Sequence, residues 1–228
     1  MQKFDFVHVA YTAKIKEGGQ VFDVSEPTFP LGAGFVIKGL DEALMEMNVG
    51  EKKTVEIPPE KAFGERIKEL VKLVPESEFK KHNVDVKPGM AVDADNARGR
   101  VLSVASGRVT VDFNHPLAGK ILVYDVELKE KIGDLKQKVE SIISFFGGFP
   151  KGSVGVNESG KELEVTLPPI LHPVYKKKIA DAFFAILGYE KVKFAEVFEK
   201  PKPDNMTASQ SDAAKDGNTT EKPVESKQ

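Results

Sequence analysis

Residues 30–44 read PLGAGFVIKGLDEAL, glycine-rich at first and helical after that. Glycines that open a helix often cradle a phosphate. A P-loop is spelt G-x-x-x-x-G-K-[ST], because its Lys and hydroxyl meet the phosphates and their Mg²⁺. Gly34 and Gly39 have that spacing, but Leu40 and Asp41 follow. A carboxylate so close to the Lys position repels such a ligand. The dinucleotide pattern G-x-G-x-x-G fails as well, since Gly32 and Gly34 fit its first half and Ile37 stands where the third glycine must be. What remains is steric: the glycines permit positive φ and a tight turn into a helix. The helix start is apolar, with Phe35, Val36, Ile37 and Leu40. Leu40, Leu44 and Met47 share a helical face, and Gly50 predicts the stop. Asp41 and Glu42 are adjacent and cannot face each other for paired acid–base work. They read as solvated charges that suit the positive end of the helix.

Outward from this helix the chain alternates. Phe6 to Ile15 reads as a strand with one buried face, and Gln20 to Val24 as a second strand after the turn Glu17-Gly-Gly-Gln. Lys53 to Ile57 alternates again until Pro58-Pro59 takes the chain out of the sheet. Ile67 to Phe113 has turns and strands of its own. Pro75 opens the short helix-like piece PESEFKKH, Lys87-Pro88-Gly89 turns, and Arg98–Val104 with Arg108–Phe113 reads as a hairpin. Ile121 to Leu128 is a clear strand. From residue 134 a second unit follows: the helix DLKQKVESIISFFGG, strands at Gly152–Val156 and Leu163–Leu167, a helix from His172 to Leu187 and a strand from Val192 to Phe198. That order, α-β-β-α-β, makes an α+β module. Beyond Lys200 there is no aromatic residue, Leu or Ile, which predicts a disordered tail over 201–228.

Composition narrows the function. The 228 residues are 40% hydrophobic and 30% charged, with a net charge of −2 and no Cys. This offers no overall electrostatic case for nucleic acid and excludes disulfides and thiolate chemistry. The histidines, at 8, 82, 115 and 172, form no H-x-x-x-H pair, so neither a metal nor a cofactor is expected. Lys3 and Asp5 interrupt any apolar N-terminal segment, and no run approaches the roughly 18 apolar residues of a membrane span. A cytoplasmic protein without membrane partners is expected. Gly152-Ser-Val-Gly155 spells a GXXG loop, but a KH loop joins two helices and this one leads into a strand. Nucleic acid is therefore not an expected partner.

No catalytic constellation is visible: no G-x-S-x-G elbow, no H-E-x-x-H and no His near a plausible nucleophile. One reaction needs none of these. Rotation about an X–Pro bond breaks no σ bond, and its barrier of about 18–20 kcal/mol is mainly lost amide resonance. Uncatalysed exchange takes on the order of tens to hundreds of seconds, slow enough to limit folding. The twisted amide has less charge separation than the planar one, so an apolar, aromatic-lined pocket favours it over water.

Four stretches in order then resemble the FKBP-type peptidyl-prolyl isomerases. GQVFDVS (19–25) resembles G-x-x-F-D-S. LGAGFVIKGLDEALMEMNVGEK (31–52) resembles L-G-x-G-x-V-I-x-G-x-E-x-A-L-x-G-M-x-x-G-E-K. IPPEKAFGE (57–65) resembles the P-P-x-x-A-Y-G-x segment, and ILVYDVEL (121–128) resembles the closing L-x-F-x-V-E-L strand. The long piece before NHPLAG resembles the insert-in-flap domain of SlyD-type members, and the C-terminal module resembles the extra domain of longer archaeal members. The metal-binding tail of some SlyD-type proteins is absent. The resemblance implies an α+β fold in which an FKBP-like antiparallel half-barrel wraps one helix, with an inserted, mainly β flap domain. The expected organisation is 1–66 with 114–132 for the isomerase domain, 67–113 for the insert, 133–200 for the C-terminal α-β-β-α-β domain, and the tail.

The resemblance also implies a pocket. Tyr11 and Phe22 are walls and Asp23 is the one polar group. Val36 and Ile37 match the V-I pair, with the Ile37 N–H holding a substrate carbonyl. Leu40 is the floor, where many members have Trp. Phe63 stands where Tyr is usual and Tyr124 where Phe is usual, and Phe29 and Leu117 are rim positions for substrate. By burial preference alone, Phe22, Val36, Leu40 and Tyr124 read as ordinary core, and Asp23 as an aspartate bonded to its own backbone. The implied activity is isomerisation of X–Pro bonds in unfolded or nascent proline-containing polypeptides, with chaperone activity from the insert. A holdase with a vestigial pocket is the alternative, given Leu40 and Phe63. A dimer through the C-terminal domain is left open.

Overall fold

The computed structural model describes residues 1–94, 97–147, 154–167 and 172–197. Its first sheet has β1 (Phe6–Ile15) at the centre. β1 pairs antiparallel with β9 (Leu122–Ile132) on one edge; the other edge is shared by β2 (Val21–Ser25) and β3 (Thr28–Pro30). β4 (Lys52–Ile57) pairs antiparallel with the far edge of β9. The alternation of β1 buries Val7, Val9, Ala13 and Ile15 on one face, as the two-residue period of a strand requires. Helix α1 (Lys38–Glu46) lays Leu40 and Leu44 into this concave face, and Met47 follows them. Each such fully buried side chain contributes about 1.5–3 kcal/mol of transfer free energy.

Two expectations about α1 need correction. The helix ends at Glu46, not at Gly50, because Met47 leaves in an extended conformation (ψ 155°) to reach the core; Gly50 turns the chain just before β4. Asp41 is not a solvated charge. It is 8% exposed, and both its carboxylate oxygens accept from the Gly32 N–H at 2.9 Å. Burial raises its pKa above the ordinary carboxylate value. Asp41 thus ties the glycine turn to the helix. Glu42, beside it, is partly exposed and pairs with Lys61 at 2.8 Å.

Between β4 and β9 the chain builds a four-stranded sheet in the order β5-β8-β7-β6: β5 (Val71–Pro75), β6 (Ala91–Ala94), β7 (Ala97–Ala105) and β8 (Arg108–Asp112). With α2 (Glu76–Lys81) it encloses its own core of Phe79, Val86, Val92, Val101, Val109 and Val111. The chain leaves and rejoins the barrel at one place, where the Asn114 side chain accepts from the Ile67 N–H (2.8 Å) and donates to the Ile67 carbonyl (2.9 Å).

After β9 come α3 (Leu135–Gly147), β10 (Gly155–Ser159), β11 (Glu162–Leu167), α4 (Pro173–Ala182) and β12 (Lys191–Glu196). β10 and β11 are antiparallel, while β11 and β12 are parallel, so α4 is the crossover that a parallel pair needs. α4 continues as a wider turn over Phe183–Leu187. The core here is Val139, Ile142, Ile143, Leu163, Val165, Ile179 and Phe183, and it includes Phe6 and Ile132 from the barrel strands. α3 is therefore seated against the barrel. Gly152 of the GXXG loop, Phe198 and the tail lie outside the described residues.

Candidate functional site

The concave face of the barrel holds an aromatic and apolar group with one carboxylate. Tyr11 and Tyr124 sit on neighbouring strands with ring centroids 5.4 Å apart, and the Phe22 ring stands edge-on to Tyr124 at 6.2 Å. The Tyr11 hydroxyl donates to Asp23 Oδ2 at 2.8 Å. Phe22 and Asp23 are consecutive, and consecutive strand residues normally face opposite ways. Here the register of β2 on β1 slips. Ala13 pairs with Asp23 and Lys14 with Val21, so Phe22 is the extra residue of a bulge. A bulge re-aims side chains, and this one lets Phe22 reach Tyr124 while Asp23 reaches Tyr11.

The site electrostatics follow. Burial, with the Asp23 charge second, pushes Tyr124 up to about 12. Tyr11 is shifted upward still further, by burial first and then by its hydrogen bond to Asp23. Both phenols are neutral hydroxyls at physiological pH.

Leu40, 1% exposed, lies beneath in the same hydrophobic cluster, together with the buried Phe29 and Tyr124. Tyr11, Phe22, Val36, Ile37, Phe63 and Leu117 are partly buried against it. Of the ten positions singled out in the sequence, nine belong to the barrel's hydrophobic cluster and Asp23 is bonded to it through Tyr11. Ile37 caps α1 in an extended conformation, and its carbonyl accepts from the N–H groups of Leu40 and Asp41. Its own N–H donates to no protein acceptor among the described residues.

Sequence reasoning missed His115. Its ring stacks on Phe63 with centroids 4.2 Å apart and planes 7° from parallel. His115 Nδ1 accepts from the Leu117 N–H at 3.2 Å, and the Gly119 N–H donates to the Gly64 carbonyl at 2.9 Å. The loop after the insert is therefore docked along Phe63. The NHPLAGK spelling was the available signal, but a single histidine carries no pairing pattern. No group of three or more His, Cys, Asp or Glu among the described residues could hold a metal.

This arrangement can take an uncharged, compact, apolar group and offer its edge a few hydrogen bonds. Known proteins resemble this chain in sequence. Residues 72–117 match the family described as FKBP26, IF domain. The chain is 38% identical over 130 residues to a probable FKBP-type 16 kDa peptidyl-prolyl cis-trans isomerase of Pseudomonas fluorescens, covering 54% of this chain and 85% of that one. It is 34% identical over 148 residues to a short-type peptidyl-prolyl cis-trans isomerase of Methanocaldococcus jannaschii, covering 57% and 93%. It is 35% identical over 131 residues to the FKBP-type isomerase SlyD of Treponema pallidum, covering 54% and 73%. The chain belongs to the FKBP-type peptidyl-prolyl cis-trans isomerases.

Proposed function

We infer that the protein accelerates cis–trans isomerisation of X–Pro bonds in unfolded or partly folded polypeptides. The observation that carries this reading is the Tyr11–Asp23–Tyr124–Phe22 group standing over Leu40. The prolyl ring enters between Phe22, Tyr124 and Leu40, with Val36 and Phe63 at the sides. The Ile37 N–H takes a substrate carbonyl and so fixes one side of the bond while the other turns. As the amide twists it loses resonance and charge separation, and the water-poor pocket favours that state over the planar one. Tyr11 holds Asp23 at the pocket edge as a fixed acceptor. No proton is transferred, so the reaction needs no general base.

Residues 67–113 are the proposed chaperone domain, and 1–66 with 114–132 the isomerase domain. The insert keeps Val74, Phe79 and Val84 for its own core, but Leu73 is 64% exposed and Met90 39%. These are surfaces for weak adhesion to unfolded chains. A cytoplasmic location belongs to the same proposal; no helix among the described residues is long and apolar enough to cross a membrane.

The test is refolding of a proline-limited protein, alongside a protease-coupled assay on short X–Pro peptides. Asp23→Ala, Phe63→Ala and Tyr124→Ala are each expected to lower kcat/KM about tenfold, the loss of one transition-state contact of about 1.4 kcal/mol. Unchanged rates in all three would remove the pocket assignment. Absent peptide turnover combined with full suppression of aggregation would favour a holdase.

A further inference from the structure

Between the barrel rim and α3 lies a cleft of about 620 Å³. Its barrel wall includes Tyr11 and Val36, and its helix wall includes Ser141, Ser144 and Phe145. Tyr11 and Val36 also belong to the prolyl pocket proposed above, so the cleft continues that pocket. Phe145 is 54% exposed, yet it is not loose: its ring lies 4.3 Å from that of Phe35, the residue just before Val36. The helix wall is firm as well, because Phe6 and Ile132 of the barrel share a core with Val139, Ile142 and Ile143 of α3. An exposed aromatic ring braced by a half-buried one, on a firm wall beside an apolar pocket, is a surface built for contact.

We propose that this cleft seats the stretch of substrate chain next to the prolyl bond, with an apolar side chain against Phe35 and Phe145. The proposal rests on the isomerase reading and gives the C-terminal unit a share in substrate binding. The volume suits it, since clefts of roughly 300–1,000 Å³ hold ligands of drug size, comparable to a few residues of extended chain. The lining also selects. Glu26, Glu130 and Glu140 line it, and no Lys or Arg does. Glu26 is held by His8 and Lys129, and Glu140 lies 3.9 Å from Lys136, so the acidic lining is partly compensated. With three carboxylates and no basic side chain in the lining itself, a strongly acidic flanking segment is still the less favoured one.

The experiment compares a tetrapeptide with a peptide of about ten residues carrying apolar side chains beside one proline, using the full chain. Tetrapeptide turnover is expected to stay the same in Phe145→Ala and Ser144→Arg, both at exposed positions. KM for the long peptide is expected to rise roughly three- to tenfold in each, with kcat unchanged, the loss of one well-seated aromatic contact or of the space beside it. On the unaltered protein, the long peptide is expected to shift the backbone amide resonances of Ser141, Ser144 and Phe145, and a glutamate-rich version to shift them less. Unchanged KM in both variants, or α3 amides that stay still, overturns the proposal. Should the unaltered protein turn over neither peptide while the long one still shifts the α3 amides, the cleft stands and the isomerase reading falls.

Discussion

Phe22 reaches the pocket only because β2 slips by one residue against β1, which aims it into the same concavity as Asp23, the residue opposite Ala13. Residue identity was legible here, because F-D in sequence resembles a known pattern, but the bulge was not, since nothing in the dipeptide encodes a partner strand. Asp41 failed for a related reason. Its local context is that of a helix surface, and only the fold brings the Gly32 N–H onto it. The buried phenols carry a pH signature. An unfolded tyrosine titrates near 10, whereas folded Tyr124 titrates at about 12. Between those values the unfolded chain has released the proton and the folded one has kept it, so stability falls as pH rises, while below pH 10 the contribution is whole. Tyr11 and Tyr189 shift in the same direction. Urea unfolding from about pH 9 to 11 is expected to show a steeper loss of stability in the unaltered protein than in Tyr124→Phe. Equal slopes would mean that the Tyr124 phenol is not shifted by the fold.

At the scale of elements, the long alternating strands declared themselves, as did the shorter β2 and β4, while β3, β5 and β6 did not. β1 and β9 carry a buried face of their own, and β4 alternates toward the half-buried Val55 and the buried Ile57. β3 is three residues ending in Pro30 and exists because β1 pairs with it; β5 is half exposed and includes a proline; β6 has one buried apolar residue, Val92. Such strands are defined by their neighbours rather than by period. Helix α1 shows the same dependence at Gly39. Glycine within a helix usually gains about 1 kcal/mol on becoming alanine. At Gly39 an added Cβ would lie 2.5 Å from Ile57 Cγ2 and 3.3 Å from both Ile57 Cγ1 and Lys61 Cβ. Ile57 is 1% exposed and has nowhere to go. Overpacking of this kind costs about 1–3 kcal/mol, enough to reverse the propensity gain. Gly39→Ala is expected to destabilise the protein by about 1 kcal/mol net in chemical unfolding. Gly133→Ala, whose Cβ would meet nothing within 4 Å, serves as the control. A more stable Gly39→Ala would show that α1 can shift away from β4.

On the scale of the whole molecule, the insert and the C-terminal unit relate to the barrel differently. The C-terminal unit shares a core with Phe6 and Ile132, while the insert closes a core containing no barrel residue. What joins the insert to the barrel is polar and only partly buried: Arg66 pairs with Asp112 at 2.6 Å, and Asn114 bonds the backbone of Ile67. Surface pairs of this kind contribute about 0–1 kcal/mol each. Removing 67–113 and joining Arg66 to Asn114 through a short Gly/Ser linker is therefore expected to leave a folded barrel, since the two ends already lie side by side. His115 and Leu117 remain, so Phe63 keeps its stacked partner. A tetrapeptide reaches only the pocket, and its turnover is expected to persist. With the insert as the proposed second grip on an unfolded protein, linking it to the pocket raises the effective concentration of that second contact. The deleted protein is thus expected to lose about ten- to a hundredfold of its activity in a proline-limited refolding assay. If turnover of both substrates falls together while circular dichroism shows an intact barrel, the insert forms part of the active site itself, and adhesion cannot be separated from isomerisation.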